Sequence, residues 1–480
     1  MKQFVIHLII VTIAVWSSFD LMAQNEAYHI RVKIDNYEND TCILGYHMGK
    51  QIYVKDTLIK RNAQGEFVFT GDKPLDGGMY LVLTKPNNIY FDFLIASEED
   101  QKNMVFTTKL ENNDLNKNLK VQNSKPNDLF YSYLQYLNDR RAEDGELAKA
   151  FEAEKDEAKK QKIQEQRVAI EKKVRQYQLD LAKNHPKSLT ANLIMASLPP
   201  KVPAELTREQ GFYYYRARFW DNFDWSDERL IRTNAFKSKI ENWTENLTVK
   251  SPDSMIVGVD YILQNALKGG NKKMFRYAAA ELLNKYAKTK VICMDAVYVF
   301  IGKKYYCGGN GLADWVDKEQ LEKICENVNA LEPLQCGLYA PDIRLKKMDG
   351  TPIKLYDVKA KFVALYFWDP DCGNCSKTTD KLVPVYNEFK DKGFEIFGIC
   401  SKTWKEIDKC KSKITSKKMD FINVSDDAYP LGMVKKRYDI KVNPYLMLLD
   451  ENKKILWKRL DPNQIRDILN REFAEEPAQN

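Results

Sequence analysis

The stretch Phe362-Val363-Ala364-Leu365-Tyr366-Phe367-Trp368-Asp369-Pro370-Asp371-Cys372-Gly373-Asn374-Cys375 decides how this chain is read. Its first seven residues form a near-continuous apolar run, which suits a strand buried on both faces. Two cysteines follow at C-x-x-C spacing, and the residues from about Asn374 to Lys392 read as a helix. A helix start carries unpaired N–H groups and a partial positive charge, so a thiolate is stabilised there. Cys372 is therefore expected to be the exposed attacking thiol. Cys375, one turn inside, is placed to resolve a mixed disulfide. The expected redox-active pair is Cys372–Cys375, framed by Trp368, Pro370, Gly373 and Asn374.

Working outward, the flanks keep the alternation of strands and helices that marks an α/β layer fold. Asp342 to Leu345 and Ile353 to Leu355 flank an Asp349-Gly350 turn, a hairpin signal. A strand is expected at Phe394–Cys400. Further strands follow at Tyr445–Leu449 and Ile455–Lys458, with a helix from Pro462 to about Phe473. The whole C-terminal domain is set at residues 336–480.

Rival chemistries fit the motif poorly. A structural zinc site wants four Cys or His ligands. The four histidines, His7, His29, His47 and His185, all lie outside this region, so no metal is expected, and a Cys–His hydrolase is equally unsupported. A thiol peroxidase needs a Thr or Ser three residues before its reactive cysteine, to polarise the peroxide; here that place is Asp369, an anion.

Ala340-Pro341-Asp342, the Asp349-Gly350 hairpin, Phe367-Trp368, Cys372-Gly373-Asn374-Cys375 and Val442-Asn443-Pro444-Tyr445 together resemble the TlpA/ResA-type branch of the thioredoxin superfamily. These are exported thiol–disulfide oxidoreductases, and the resemblance spans about residues 336–475. It implies a thioredoxin fold and no cofactor beyond the dithiol. It implies protein thiol or disulfide substrates and a membrane electron donor. It also implies a cis Pro444 facing the cysteines, with the Asn443 backbone open to an extended substrate chain. Four features depart from the family, the inner dipeptide Gly373-Asn374, neither Gly-Pro nor Pro-His, among them. Tyr366 stands where thioredoxin has a buried acid, Thr378 where the ResA-like branch has a glutamate, and Asn443 where Thr is commoner. No acid is thus assigned to proton transfer. Asp369 and Asp371 lie close to Cys372 in sequence, and nearby anions disfavour a thiolate. Because a strong oxidant owes its potential to a stabilised thiolate, the reading leans towards a reductase or isomerase.

Seven cysteines remain, an odd number, so at least one is free or pairs between chains. Cys400 and Cys410 are near enough in sequence for a second disulfide, but Cys400 reads better as a small apolar group at a strand end.

The rest of the 480 residues is organised differently. Lys2, an apolar run from Phe4 to Trp16 and Leu21-Met22-Ala23 read as a signal peptide over residues 1–23. That predicts export to a compartment where cysteines pair, the periplasm of a Gram-negative cell. Residues 24–125 carry short alternating stretches such as His29–Ile34, Gln51–Lys55, Gly65–Gly71, Met79–Leu83 and Ile89–Leu94, expected to form an all-β sandwich. Residues 126–335 have helical texture. Ile163, Ile170, Val174, Tyr177 and Leu181 share one helical stripe, so Glu146–Lys183 is expected to be one long amphipathic helix or a hairpin. The aromatic cluster from Phe212 to Trp225 reads as helix core with an amphipathic rim.

With 74 basic and 67 acidic residues the net charge is +7, too weak to suggest nucleic acid. A hydrophobic fraction of 44% and 29% charged residues fit a globular chain rather than a polytopic membrane protein. The competing function is a binding or scaffold protein of the envelope in which the redox domain is secondary.

Overall fold

The computed structural model describes residues 26–426 and 432–474. The expected signal peptide lies outside the described residues. Contacts divide the chain into two compact units. One holds the chain up to Leu247 together with Gln264–Phe275; the other holds Thr248–Leu263 and everything from Arg276 onward.

The first unit begins with eight strands: β1 Tyr28–Asp35, β2 Cys42–Met48, β3 Gln51–Leu58, β4 Glu66–Gly71, β5 Gly78–Thr84, β6 Ile89–Ile95, β7 Met104–Lys109 and β8 Lys120–Gln122. They form two four-stranded sheets, ordered β4-β1-β7-β8 and β3-β2-β5-β6. Alternation along β1 sends Tyr28, Ile30, Val32 and Ile34 into a core shared with Leu44, Tyr80, Phe91 and Phe93 of the other sheet. Strand β7 escaped the sequence reading because Met104, Val105 and Phe106 are all buried, which erases the alternation.

Helices follow: α1 Lys125–Ala153, α2 Glu157–Asn184, α3 Leu189–Ser197, α4 Arg208–Arg218, α5 Asn234–Asn242, α6 Pro252–Lys268, α7 Lys272–Ala287, α8 Asp295–Ile301 and α9 Lys318–Leu331. The charged stretch around residue 155 is a hairpin, not one helix. Its break falls at Glu154–Asp156, where the Asp156 carboxylate caps α2 by accepting from the Lys159 amide at 3.0 Å. Arg167 then reaches back to Asp144 with two bonds of 2.8 and 3.2 Å, and Tyr136 stacks on Tyr177 at 3.9 Å. In the aromatic cluster Phe219, Trp220 and Phe223 are buried against Phe236 and Trp243, while Phe212 and Tyr213 face solvent. No helix among the described residues is long and apolar enough to cross a membrane.

The C-terminal sheet lies in the second unit. Its elements are β9 Arg344–Lys347, β10 Pro352–Lys354, β11 Phe362–Trp368, α10 Gly373–Phe389, β12 Phe394–Cys400, α11 Ile407–Lys417, β13 Ile422–Ser425, α12 Met433–Arg437, β14 Tyr445–Asp450, β15 Ile455–Lys458 and α13 Pro462–Ala474. The strand order is β10-β9-β13-β12-β11-β14-β15. Strand β11 is interior, parallel to β12 and antiparallel to β14. Ala364, Tyr366 and Trp368 face a core with Leu382 and Phe389 of α10 and Leu469 of α13. Val363, Leu365 and Phe367 face the opposite core with Leu355, Val434 and Tyr438. Each buried Val, Leu or Phe among these contributes about 1.5–3 kcal/mol, so this apolar run is a main source of the domain's stability. The helix α11 and the strand β13 went unread, one being rich in lysine and the other only four residues long.

Two disulfides lie in the helical stretch and the segment that leads into this sheet. Cys293 pairs with Cys336, and Cys307 with Cys325 on α9. Asp295 and Lys458 form an ion pair whose side chains are only 10% and 5% exposed. A third disulfide joins Cys400 to Cys410, correcting the reading of Cys400 as a lone apolar group. Cys42, Cys372 and Cys375 are free, so one of the seven cysteines outside the motif is indeed left over.

Candidate active site

The C-x-x-C pair sits where β11 ends and α10 begins. Cys372 is the N-cap of α10, and its Sγ accepts the Cys375 amide N–H at 3.1 Å. A sulfur thus takes the place that Ser or Asp usually fills at a helix start, facing the positive end of the peptide dipoles. Cys372 is half-buried, whereas Cys375 is 1% exposed and packs in the core with Trp368 and Leu382. Burial, with the Cys372 sulfur beside it, pushes the Cys375 thiol up to about 12. At neutral pH the inner sulfur is therefore a protonated thiol.

The loop before β14 completes the surface around the outer sulfur. The Asn443–Pro444 peptide bond is cis, and the Asn443 carbonyl oxygen lies 3.8 Å from Cys372 Sγ. Asn443 and Pro444 are both half-buried. Trp368 is 1% exposed and stacks alongside Tyr366. Pro370 is half-buried, and Asn374 is exposed. Gly373 is also exposed, and a Cβ added there would meet nothing within 4 Å, so space does not require a glycine.

Tyr366 occupies the place where an acid was sought. Its hydroxyl lies 3.0 Å from the Cys375 carbonyl and 2.8 Å from Thr379 Oγ1. Thr379 Oγ1 also donates to that carbonyl, at 2.9 Å. This buried hydroxyl pair braces the first turn of α10, and burial raises the tyrosine well above its ordinary value.

A polar cluster that sequence reasoning missed lies at the ends of β11, β12 and β13. Asp369 is 8% exposed. Its carboxylate accepts from Ser401 Oγ at 2.5 Å, from the Asp371 amide at 2.8 Å, and pairs with Lys402 Nζ at 3.2 Å. Lys402 Nζ also lies 2.9 Å from Asp371 Oδ2, and Lys409 approaches the same oxygen at 3.5 Å. Burial works to raise Asp369, yet Ser401, the Asp371 amide and Lys402 together hold it below the usual carboxylate range. Asp371 is lowered by its hydrogen bond to Lys402. Burial works to lower Lys402, and the two carboxylates more than reverse that. Lys435 of α12 is lowered by burial, opposed by Asp369, Asp426 and Cys375. The two aspartates are therefore compensated anions. The register Trp368↔Cys400 is what brings Asp369 to Ser401 and Lys402; nothing local in either segment announces it.

Residues 336–458 match the AhpC/TSA family. Two domains of unknown function match upstream, DUF4369 at residues 28–130 and DUF5106 at 153–332. The thiol-disulfide oxidoreductase ResA of Bacillus cereus is 28% identical over 132 residues, which cover 26% of this chain and 70% of that protein. Through its C-terminal domain the chain is similar to the AhpC/TSA family and to ResA-type proteins, and that domain has the thioredoxin fold of a thiol–disulfide oxidoreductase. Among solved structures, a thioredoxin-like protein from Bacteroides caccae is 17% identical, with a TM-score of 0.45 over 58% of this chain and 98% of that one. The thioredoxin domain of a thiol-disulfide oxidoreductase from Bacteroides vulgatus is 31% identical, with a TM-score of 0.26 over 28% of this chain and 96% of that one.

Proposed function

We propose that the protein is exported and exchanges disulfides with protein substrates through the Cys372–Cys375 dithiol. The observation that carries this is Cys372 Sγ, half-exposed and serving as the cap of α10. In the reductive direction the Cys372 thiolate attacks one sulfur of a substrate disulfide, forming a mixed disulfide and releasing the other sulfur as a thiolate that takes up a proton. Cys375 then loses its proton, attacks Cys372 and frees the second substrate thiol. The product is a Cys372–Cys375 disulfide, which an upstream membrane dithiol returns to the reduced state. Asn443 is the proposed backbone contact for an extended substrate chain. Pro370, Gly373, Asn374 and Pro444 are the proposed supporting residues around it, with Trp368 supporting them from the core.

Three disulfides in the described chain support a periplasmic setting, with residues 1–23 as the export signal. The division into residues 24–125, 126–335 and 336–480 is retained as the proposed domain organisation. The proposed direction is that of a reductase or isomerase, and a redox titration of the mature chain tests it. A reduction potential near that of DsbA, about −120 mV, would refute this direction.

The test is insulin reduction by the mature chain. Cys375→Ala should accumulate thiol-sensitive mixed disulfides on Cys372 in vivo, and their absence would sink the proposal. The scaffold reading has one feature in its favour, the length of chain ahead of residue 336. It prevails if a Cys372→Ser, Cys375→Ser protein keeps full biological activity.

A further inference from the structure

Ser401, Lys402 and Lys409, the side chains that hold Asp369 and Asp371, all lie between Cys400 and Cys410. The disulfide closes that segment into a ring across a separation of 10 residues. Both of its cysteines are fully buried, in the same core as Cys375 and Trp368.

The ring is also pinned by backbone. The Ser401 amide donates to the Trp368 carbonyl at 3.0 Å, and the Asp426 amide to the Cys400 carbonyl at 3.1 Å. Ser425 Oγ donates to the Lys402 carbonyl at 2.6 Å. Lys402 is thereby held at the mouth of the sheet with its side chain 8% exposed. Lys409 is half exposed, so its pairing counts for little, while the buried Lys402–Asp369 pair is poorly screened.

We propose that the ring closed by Cys400–Cys410 holds Lys402 against Asp369 and Asp371, and that this compensation keeps the Cys372 sulfur reactive at neutral pH. Lys402 is then a positioning residue. It does not touch substrate; it removes two negative charges from the field at the start of α10. The other groups facing the site are Lys409 and Glu406 from the ring, Lys435 from α12, Asp426 after β13 and the Cys375 thiol. Without Lys402 the balance tips to the carboxylates one and three positions before Cys372, and an uncompensated anion near a thiol disfavours the thiolate. A disulfide outside the C-x-x-C motif would in this way tune the one inside it.

The inference rests on the proposed role of Cys372, and the experiment separates the two. The rate of Cys372 alkylation by iodoacetamide is followed by peptide mass spectrometry between pH 5 and 9. The full mature chain carries Cys375→Ser, so the outer thiol stays free without added reductant and Cys400–Cys410 stays closed. Adding Lys402→Met should lower the rate at pH 7 about tenfold and move the pH profile up by about one unit. Adding Asp369→Asn and Asp371→Asn to that variant should restore the rate. Opening the ring by Cys400→Ala, Cys410→Ala should slow alkylation in the same direction; should that chain misfold, the Lys402 arm decides alone. An unchanged profile in the Lys402→Met protein, or a loss that the two asparagines do not restore, overturns the inference while leaving the proposed function standing. A Cys372 that is inert at every pH in the starting protein overturns both.

Discussion

Two cysteine pairs sit at the ends of adjacent parallel strands and have different fates. Cys372 and Cys375 follow β11, while Cys400 ends β12 and bonds to Cys410 on α11. The first pair has one half-exposed sulfur seated on a helix start; the second has none exposed. Both belong to one core, so burial in apolar surroundings does not by itself distinguish them. What distinguishes them is access for a second molecule and a hydrogen-bond donor aimed at sulfur. The helix start supplies both to Cys372 and neither to Cys400.

The contrast can be broken most directly by exchanging which pair is removed. Cys372→Ser should lower insulin reduction at least about 1,000-fold, or ~4 kcal/mol in transition-state terms, with an unchanged melting temperature. Cys400→Ala with Cys410→Ala should do the reverse. Its unfolding free energy in urea should fall by about 2–3 kcal/mol, the loop-closure contribution for so short a ring, while exchange is slowed rather than lost. Equal loss of activity in both would erase the distinction.

A pH series sharpens the comparison further. The Cys375 thiol is raised from 9.0 to about 12 in the folded protein, so its contribution to stability is full below pH 9 and lost as the pH rises towards 12. In that window the unfolded chain has released a proton that the folded chain retains, so stability falls with pH by up to about 1.4 kcal/mol per unit. Reduced protein should show this fall relative to Cys375→Ser in parallel urea titrations; a parallel course for the two would contradict the buried-thiol assignment.

Smaller effects test the braces around the first pair. Tyr366→Phe removes one of two hydroxyls reaching the Cys375 carbonyl, and Thr379 keeps that carbonyl paired. Its cost in urea should be about 1 kcal/mol, with insulin reduction nearly unchanged. Gly373→Ala enters open space, so thermal unfolding should report a change within about 0.5 kcal/mol. A larger loss there would mean that the glycine serves a bound chain or a backbone motion.

Much of the C-terminal domain was legible from residue pattern. The run Phe362–Trp368 is an interior strand buried on both faces, and the hairpin at Asp349-Gly350 joins β9 to β10. The helical hairpin was legible as a stripe, but its break was not, since Glu154-Lys155-Asp156 differs little in composition from the helix around it. The charges beside Cys372 were visible and misjudged. Sequence proximity shows Asp369 and Asp371, while their counter-charge at Lys402 lies 33 and 31 positions away.

From residues alone came the strand, the cysteine spacing and the helix that starts upon it, because hydrophobic period and helix termini are set by neighbours a few positions apart. Strand register brought Lys402 to the aspartates, and the packing of α11 buried Cys410 beside Cys400. Coulombic and covalent partners depend on distance in space, and distance between strands is settled only when the sheet assembles.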